Sequence, residues 1–153
     1  MATKSIESPL AEITLRRYEK PYKLERREIV AKLCLSLGLL QPGDSRDVVV
    51  DVLYALLDAR SEKQLLTSIE VRMRVVALRK EMGLKLAGIA DSNIRRQLLR
   101  LRDMLLVEKV KNTYRVIEWE RLSVLFEEKI EAFLLPSILT RVKEYISLAD
   151  ERF

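Results

Sequence analysis

The side chains best suited to recognition chemistry lie in a helical pattern between residues 91 and 104. At about 100° per residue, one sector of this helix holds four polar groups, Asn93, Arg96, Gln97 and Arg100. Arginine and asparagine carry paired hydrogen-bonding groups that match the major-groove edges of guanine and adenine. The spacing therefore predicts that this sector contacts base edges. The alternative is that these side chains only solvate the outer face of a surface helix.

A second set of basic side chains surrounds this sector and predicts contacts to phosphate groups. Its members are Arg95, Lys109, Lys111 and Arg115. Contacts of this kind fix the register of a protein on a duplex. Residues 67–115 hold twelve Lys or Arg against five Asp or Glu, whereas residues 116–153 hold five against eight. The positive charge of the chain, +5 overall, is thus concentrated where a polyanion would bind.

Two helices are predicted to position these groups. Thr67 and Glu70 fit a capping box at the start of the first helix, which ends near Gly83. One face of that helix carries the apolar residues Ile69, Met73, Val76 and Ala77. The second helix is predicted to be capped by Asp91 or Ser92. Its apolar stripe consists of Ile94, Leu98, Leu101 and Leu105. The loop between the two helices is predicted to anchor Leu84, Leu86 and Ile89 in the core.

A short β-hairpin is predicted directly after the second helix. Two β-favouring runs, residues 106–110 and 113–117, flank the turn at Lys111 and Asn112. Asn112 tolerates the left-handed conformation that such a turn requires. Residues 64–67 are predicted to supply a third, short strand that pairs with the hairpin.

The segment from Ala90 to Val116 resembles the recognition helix and wing of archaeal and bacterial winged helix-turn-helix transcriptional regulators. Like them, it has a polar cap, spaced leucines and an apolar step into a basic hairpin. The resemblance implies a mainly α fold with a small β-hairpin wing and with N-terminal and C-terminal helical extensions. In such a fold, helix 91–104 reads the DNA major groove. Many of these proteins have glycine where Met104-Leu105 leads into the first wing strand, and this chain departs from them there.

The predicted domain, residues 24–117, begins with an extra N-terminal helix. Residues 1–23 are predicted to form a basic arm with one short helix between Leu10 and Tyr18. The extra helix is predicted from Leu24 to Leu37, with Gly38 in the usual C-terminal position.

A central, buried helix is predicted next, from Arg46 to Ala59, with Asp44 or Ser45 as its cap. Its carboxylates Asp47 and Asp51 lie one helical turn apart. Such a pair can bind a divalent cation, but in a charged helix it is more typical of a solvated face, and the sequence is interpreted in that way.

Two amphipathic helices, separated at Pro136, are predicted in residues 118–153. Their apolar faces need a partner, which favours a dimer interface. The residues assigned to this interface are Trp119, Leu122, Phe126, Ile130, Phe133, Ile138, Val142 and Tyr145. The alternative is that both helices fold back onto the N-terminal helices and complete a monomer core.

The composition excludes several classes of catalytic and metal site. The chain has no histidine and one cysteine, so histidine-based triads, histidine-ligated metals and thiolate zinc clusters are ruled out. Cys34 is interpreted as a small core residue. We therefore expect no enzymatic activity, metal or cofactor.

No apolar run approaches the length of a membrane span and no signal peptide opens the chain, so a cytoplasmic protein is expected. Abundant charge with three Gln and two Asn is typical of a thermophile.

These observations lead to one main functional hypothesis and two alternatives. The main hypothesis is a homodimeric transcriptional regulator that binds double-stranded DNA in a sequence-specific way. The first alternative is a winged-helix adaptor that binds protein in a replication, chromosome-maintenance or transcription complex, an interpretation favoured by the exposed position expected for Leu99. The second is binding to structured RNA, since basic surfaces do not choose between polyanions. Few aromatic residues on the basic surface argue against single-strand recognition.

Overall fold

The computed structural model of the protein describes residues 6–153. The chain is mainly helical, at 58%, with one small antiparallel sheet of three strands. The elements up to the hairpin are α1 (Arg26–Ser36), α2 (Val48–Ser61), β1 (Leu66–Thr67), α3 (Ser68–Glu81), α4 (Asp91–Asp103), β2 (Val107–Val110) and β3 (Thr113–Val116). A 3-10 turn (Ile117–Trp119) follows, and then α5 (Leu122–Leu125), a π-helical stretch (Phe126–Leu134) and α6 (Leu135–Arg152).

Helix α2 forms the centre of the core, as predicted. Nine of its residues are buried, and it packs against α1, α3, α4 and β3. The helix begins at Val48, two residues later than expected, with Asp47 as its N-cap residue. Asp44 instead accepts a hydrogen bond from the amide of Arg46 in the preceding turn. Cys34 of α1 is fully buried beside this helix, and burial raises the pKa of its thiol to about 12. The interpretation of Cys34 as a core residue is confirmed.

The sheet has the strand order β1-β3-β2, and the predicted third strand is confirmed. Leu66 pairs with Tyr114 and Thr67 with Thr113, while β2 and β3 form the hairpin with Val110 opposite Thr113. The turn of two residues places Lys111 in the left-handed region, at φ +56°. Asn112 was predicted to take that conformation, but it is the first residue of the turn that does so.

Helix α3 begins at the predicted capping box but buries a different face from the one expected. The Glu70 amide donates to the Thr67 hydroxyl at 3.1 Å, and the Thr67 amide donates to the Glu70 carboxylate at 3.0 Å. The buried side chains are Val71, Val75 and Arg79. The predicted apolar face lies outward, with Ile69 64% exposed and Met73 63% exposed. The helix has two apolar stripes. The stripe that ends at Arg79 is buried, because the guanidinium of Arg79 forms ion pairs with acidic side chains in the core.

Two further elements differ from the sequence prediction. The arm has no helix between Leu10 and Tyr18; residues 11–23 contain no helix or strand, and Arg16 donates to the Leu35 carbonyl at the end of α1. The first five residues of the predicted arm lie outside the described part of the chain. In the loop 83–90, Ile89 packs against the core as predicted, but Leu86 is exposed.

The C-terminal segment is one continuous run of helical backbone instead of two separate helices. Phe126 and Leu135, at the two junctions, both have helical φ and ψ, and Pro136 is the second residue of α6. The proline does not break the helix because the wider π-type turns before it relieve the clash of its ring with the preceding carbonyl groups. Leu125 and Ile130 are buried, whereas none of the eighteen residues of α6 is. Helix α6 therefore extends from a segment that is itself partly buried.

Candidate functional site

Helix α4, which holds the predicted recognition residues, is fixed to the core by one face. Ile94, Leu98 and Leu101 are fully buried, and the helix packs against α2 and α3. Its N-cap residue is Ala90, so Asp91 lies in the first turn and pairs with Arg72 at 3.5 Å instead of capping the helix. The outward face carries Ser92, Arg95, Arg96, Leu99 and Arg102, all exposed.

Three of the four predicted base-contacting side chains form a hydrogen-bonded chain along the edge of α4. The Asn93 amide donates to the Gly88 carbonyl at 2.7 Å and accepts from Gln97 at 3.0 Å. Gln97 in turn accepts from Arg100 at 2.8 Å, and Arg100 also donates to the carbonyl of Leu39. These three side chains are partly buried. The fourth, Arg96, is exposed and free of such contacts within residues 6–153.

This hydrogen-bonded chain forms one wall of a cleft of about 860 Å³ between α4, the start of α2 and the loop before α4. The residues that surround it are Asp44, Ser45, Arg46, Asp47, Val48, Arg79, Lys85, Ala87, Gly88, Asn93, Arg96, Gln97 and Arg100. Five of them are basic and two are acidic, which gives the lining a formal charge of +3. We call this feature the basic cleft.

Two residues that line the basic cleft, Asp47 and Arg79, belong to an ion cluster that joins α1, α2 and α3. Its four members are Arg27, Asp47, Asp51 and Arg79. Arg79 donates to Asp51 at 2.7 Å and to Asp47 at 3.0 Å, and Arg27 donates to the same two carboxylates at 2.8 and 3.0 Å. Asp51 is fully buried and Arg79 is 4% exposed. The interpretation of Asp47 and Asp51 as a solvated face was wrong.

The sequence contained the signal for this cluster, but only in part. Asp47 and Asp51 were recognised as a pair at helical spacing on a helix that is otherwise apolar. Their arginine partners lie 20 and 32 residues away from Asp47, on other helices. Burial acts to raise the pKa of Asp47, but hydrogen bonds from Arg27 and Arg79 outweigh burial and hold that pKa below its ordinary value.

The hairpin carries the predicted phosphate-contacting residues in two different settings. Lys111 at the turn and Lys109 are exposed, and the ammonium group of Lys109 lies 5.8 Å from the ring centre of Tyr114. Arg115 is instead held in place: it donates to Glu108 at 2.8 Å and stacks 4.3 Å from the ring centre of Trp119. Glu108 already neutralises Arg115, so this side chain is less available to a phosphate than the two lysines.

The residues assigned to a dimer interface are divided between the core and the surface. Leu122 and Phe126 pack against the core cluster, Ile130 is buried, and the indole of Trp119 donates to the Gln64 carbonyl at 3.3 Å. For these four residues, the structure agrees with the alternative prediction, in which the C-terminal segment folds back and completes the core of the monomer. Phe133, Val142 and Tyr145 are exposed, and Ile138 is partly buried.

Comparison with known proteins finds no family model, no curated protein and no solved structure that matches the chain. Within the described residues, no helix combines the length and the apolar character needed to cross a membrane. The same residues contain no group of three or more His, Cys, Asp or Glu side chains placed to hold a metal ion.

Proposed function

We propose that the protein binds double-stranded DNA in a sequence-specific way and regulates transcription, with α4 as the recognition helix of a winged helix-turn-helix. The chain order α2, β1, α3, α4, β2, β3 supports this proposal, because it is the order of helices and strands in such a domain. The hairpin would be the wing, and the pairing of β1 with β3 would join it to the helices.

The observation on which the proposal depends is a set of exposed cations on α4 and the hairpin. Within residues 6–153, five exposed basic side chains of these two elements have no acidic partner within 4.0 Å: Arg95, Arg96, Arg102, Lys109 and Lys111. Unpaired cations of this kind release condensed counterions when they meet phosphates, which gives strong, salt-dependent binding. Arg96 is the exposed member of the four residues predicted to contact bases, and it is therefore the residue best placed to contact a base edge.

The test is fluorescence anisotropy with mixed-sequence duplexes over a series of salt concentrations. We expect wild-type binding to weaken steeply as salt rises, with a slope set by the number of phosphates contacted. Arg96→Ala should lose discrimination at one base position, at a cost of about 1–3 kcal/mol. Arg26→Ala, which removes an exposed charge on α1 already paired with Asp58, is the matched control and should change little. The absence of duplex binding at low salt by the folded protein would refute the proposal.

We further propose that the active form is a homodimer held together by α6. Seven of the eight apolar residues of this helix, all but Leu148, recur at intervals of seven positions, which is the pattern of a helix packed along another helix. They occupy three adjacent columns of that repeat: Leu135, Val142 and Ala149; Ile138 and Tyr145; Leu139 and Ile146. Eighteen residues give a helix of about 27 Å, long enough for two heptads of contact.

A symmetric pair of α6 helices would place two recognition helices on one assembly, as the symmetric half-sites of many regulators require. The charged residues of α6 are balanced, with Arg141, Lys143 and Arg152 against Glu144, Asp150 and Glu151, so they do not oppose such a pairing.

A second candidate function is that of a protein-binding adaptor, and exposed apolar side chains favour it. Leu99 is 49% exposed in the middle of the outward face of α4, and Ile69 and Met73 of α3 are more exposed still. Leu99→Lys separates the two functions. The added charge should strengthen duplex binding if this face meets phosphates. An adaptor would bind duplex with neither form of the protein.

A further inference from the structure

The basic cleft holds cations that the fold itself does not neutralise. Arg27, Arg79, Asp47 and Asp51 balance one another, and Arg46 pairs with Asp44 at 3.1 Å. Three cations of the lining remain: Lys85, Arg96 and Arg100. Among the residues that the structure describes, none of the three has an acidic partner within 4.0 Å.

We propose that the basic cleft is a binding site for a phosphate group. A guanidinium group donates two parallel hydrogen bonds to phosphate, and an ammonium group adds a mobile point charge. Arg100 is held in place by the Leu39 carbonyl and by Gln97, so little side-chain freedom is lost when it meets an anion. Lys85 and Arg96 are both exposed, and their long side chains can contact the same ligand.

The phosphate has two possible sources with the same chemistry. One is the DNA backbone, in which case the inference rests on the proposed function and the cleft anchors the duplex beside α4. The other is a small phosphorylated molecule that enters the cleft as a separate ligand. A volume of about 860 Å³ is ample for a group of nucleotide size.

The experiment is isothermal titration calorimetry of the full chain with inorganic pyrophosphate at constant ionic strength. The cleft variant is Lys85→Ala/Arg96→Ala. The matched control is Arg95→Ala/Arg102→Ala, which removes the same number of exposed positive charges, both from α4, but does not touch the cleft. We expect saturable binding by the wild-type protein, a loss of about tenfold or more in the cleft variant, and little change in the control.

Competition with a labelled duplex then identifies the source. If pyrophosphate displaces the duplex, the cleft takes a backbone phosphate; if both bind together, it takes a separate small ligand. Pyrophosphate binding without any duplex binding refutes the proposed function but leaves the phosphate site standing. No saturable pyrophosphate binding by the wild-type protein, or an equal loss in the two double variants, overturns the phosphate site.

Discussion

Arg79 illustrates how strongly a single buried charge depends on its partners. The residue is 4% exposed, and its guanidinium donates to Asp47, to Asp51 and, at 2.6 Å, to the Lys85 carbonyl. Within the described residues, no buried polar side-chain atom lacks a hydrogen-bond partner. Because every buried polar group of the cluster has a hydrogen-bond partner, the cluster is tolerated in the core. Removal of one member leaves the remaining charges buried without full compensation, which costs free energy.

We predict that Arg79→Met destabilises the protein by about 3–5 kcal/mol, because it leaves Asp51 buried with one cation fewer. The measurement is urea unfolding followed by circular dichroism. Arg46→Met, in an exposed pair with Asp44, should leave the midpoint nearly unchanged. Equal midpoints for the two variants would show that the buried cluster contributes no more than a surface pair.

The same cluster predicts how stability depends on pH. The pKa of Asp47 is depressed in the folded state, because hydrogen bonds from two arginines outweigh the effect of burial. A depressed carboxyl pKa contributes stability that is complete above the unfolded-state value of about 4 and is lost as pH falls through the folded-state value. We expect the free energy of unfolding to decline below about pH 4. Asp47→Asn should flatten that decline, and an unchanged slope in this variant would assign the effect to other carboxyl groups.

Backbone conformation offers a prediction at Lys63. This exposed residue follows the end of α2 with φ +51°, a left-handed conformation that costs a residue with a side chain about 1 kcal/mol. Lys63→Gly should therefore stabilise the protein by about 1 kcal/mol, measured as a rise in the urea midpoint. Glu62→Gly is the control: Glu62 has φ −105°, so glycine there should not stabilise. A lower midpoint for Lys63→Gly would contradict the argument.

At the scale of elements, the sequence predicted structure well where the signal was local. The capping box of α3 needs only Thr67 and Glu70, and the hairpin needs only two β-favouring runs around a short turn. Both were found at the expected positions. The buried face of α3 was missed, because it depends on the distant carboxylates Asp47 and Asp51.

The candidate site was predicted in the same uneven way. Helical periodicity placed Asn93, Arg96, Gln97 and Arg100 in one sector, which is correct for the helix taken alone. Periodicity could not show that the start of α2 and the loop before α4 lie against that sector. All four side chains therefore line a cleft, three of them partly buried and Arg96 exposed.

One substitution at the hairpin turn can remove the charge of Lys111 without disfavouring the left-handed backbone conformation of that residue. Lys111→Asn removes an exposed charge, while asparagine suits the left-handed φ of +56° better than lysine does. We expect its stability to be unchanged or slightly raised. If the hairpin contacts phosphate, the salt dependence of duplex binding should fall by about one charge. Lys63→Asn, at another exposed left-handed residue outside the hairpin, is the control. Equal salt slopes in both variants would remove the hairpin from the interface.

At the scale of the whole molecule, charge and exposed apolar surface are separated along the chain. Residues 67–115 are strongly basic, residues 116–153 are acidic overall, and α6 has no buried residue. A helix with so much exposed apolar surface is typical of a surface that meets a partner. This separation is what a symmetric assembly on DNA needs, because the contact between copies then does not compete with the contact to phosphate.

The α6 dimer makes a prediction that distinguishes the apolar face of the helix from its other side. Val142→Glu/Ile146→Glu should convert the protein to a monomer, measured by light scattering after size-exclusion chromatography, because it places charge on the shared apolar face. Glu144→Lys/Glu151→Lys changes two exposed charges on the opposite side of the same helix and is the control, which should leave the dimer intact. An equal loss of dimer in both variants would show that the apolar face is not the contact. A wild-type protein that is monomeric at all concentrations would refute the α6 dimer and leave duplex binding to be judged by the Arg96 variant alone.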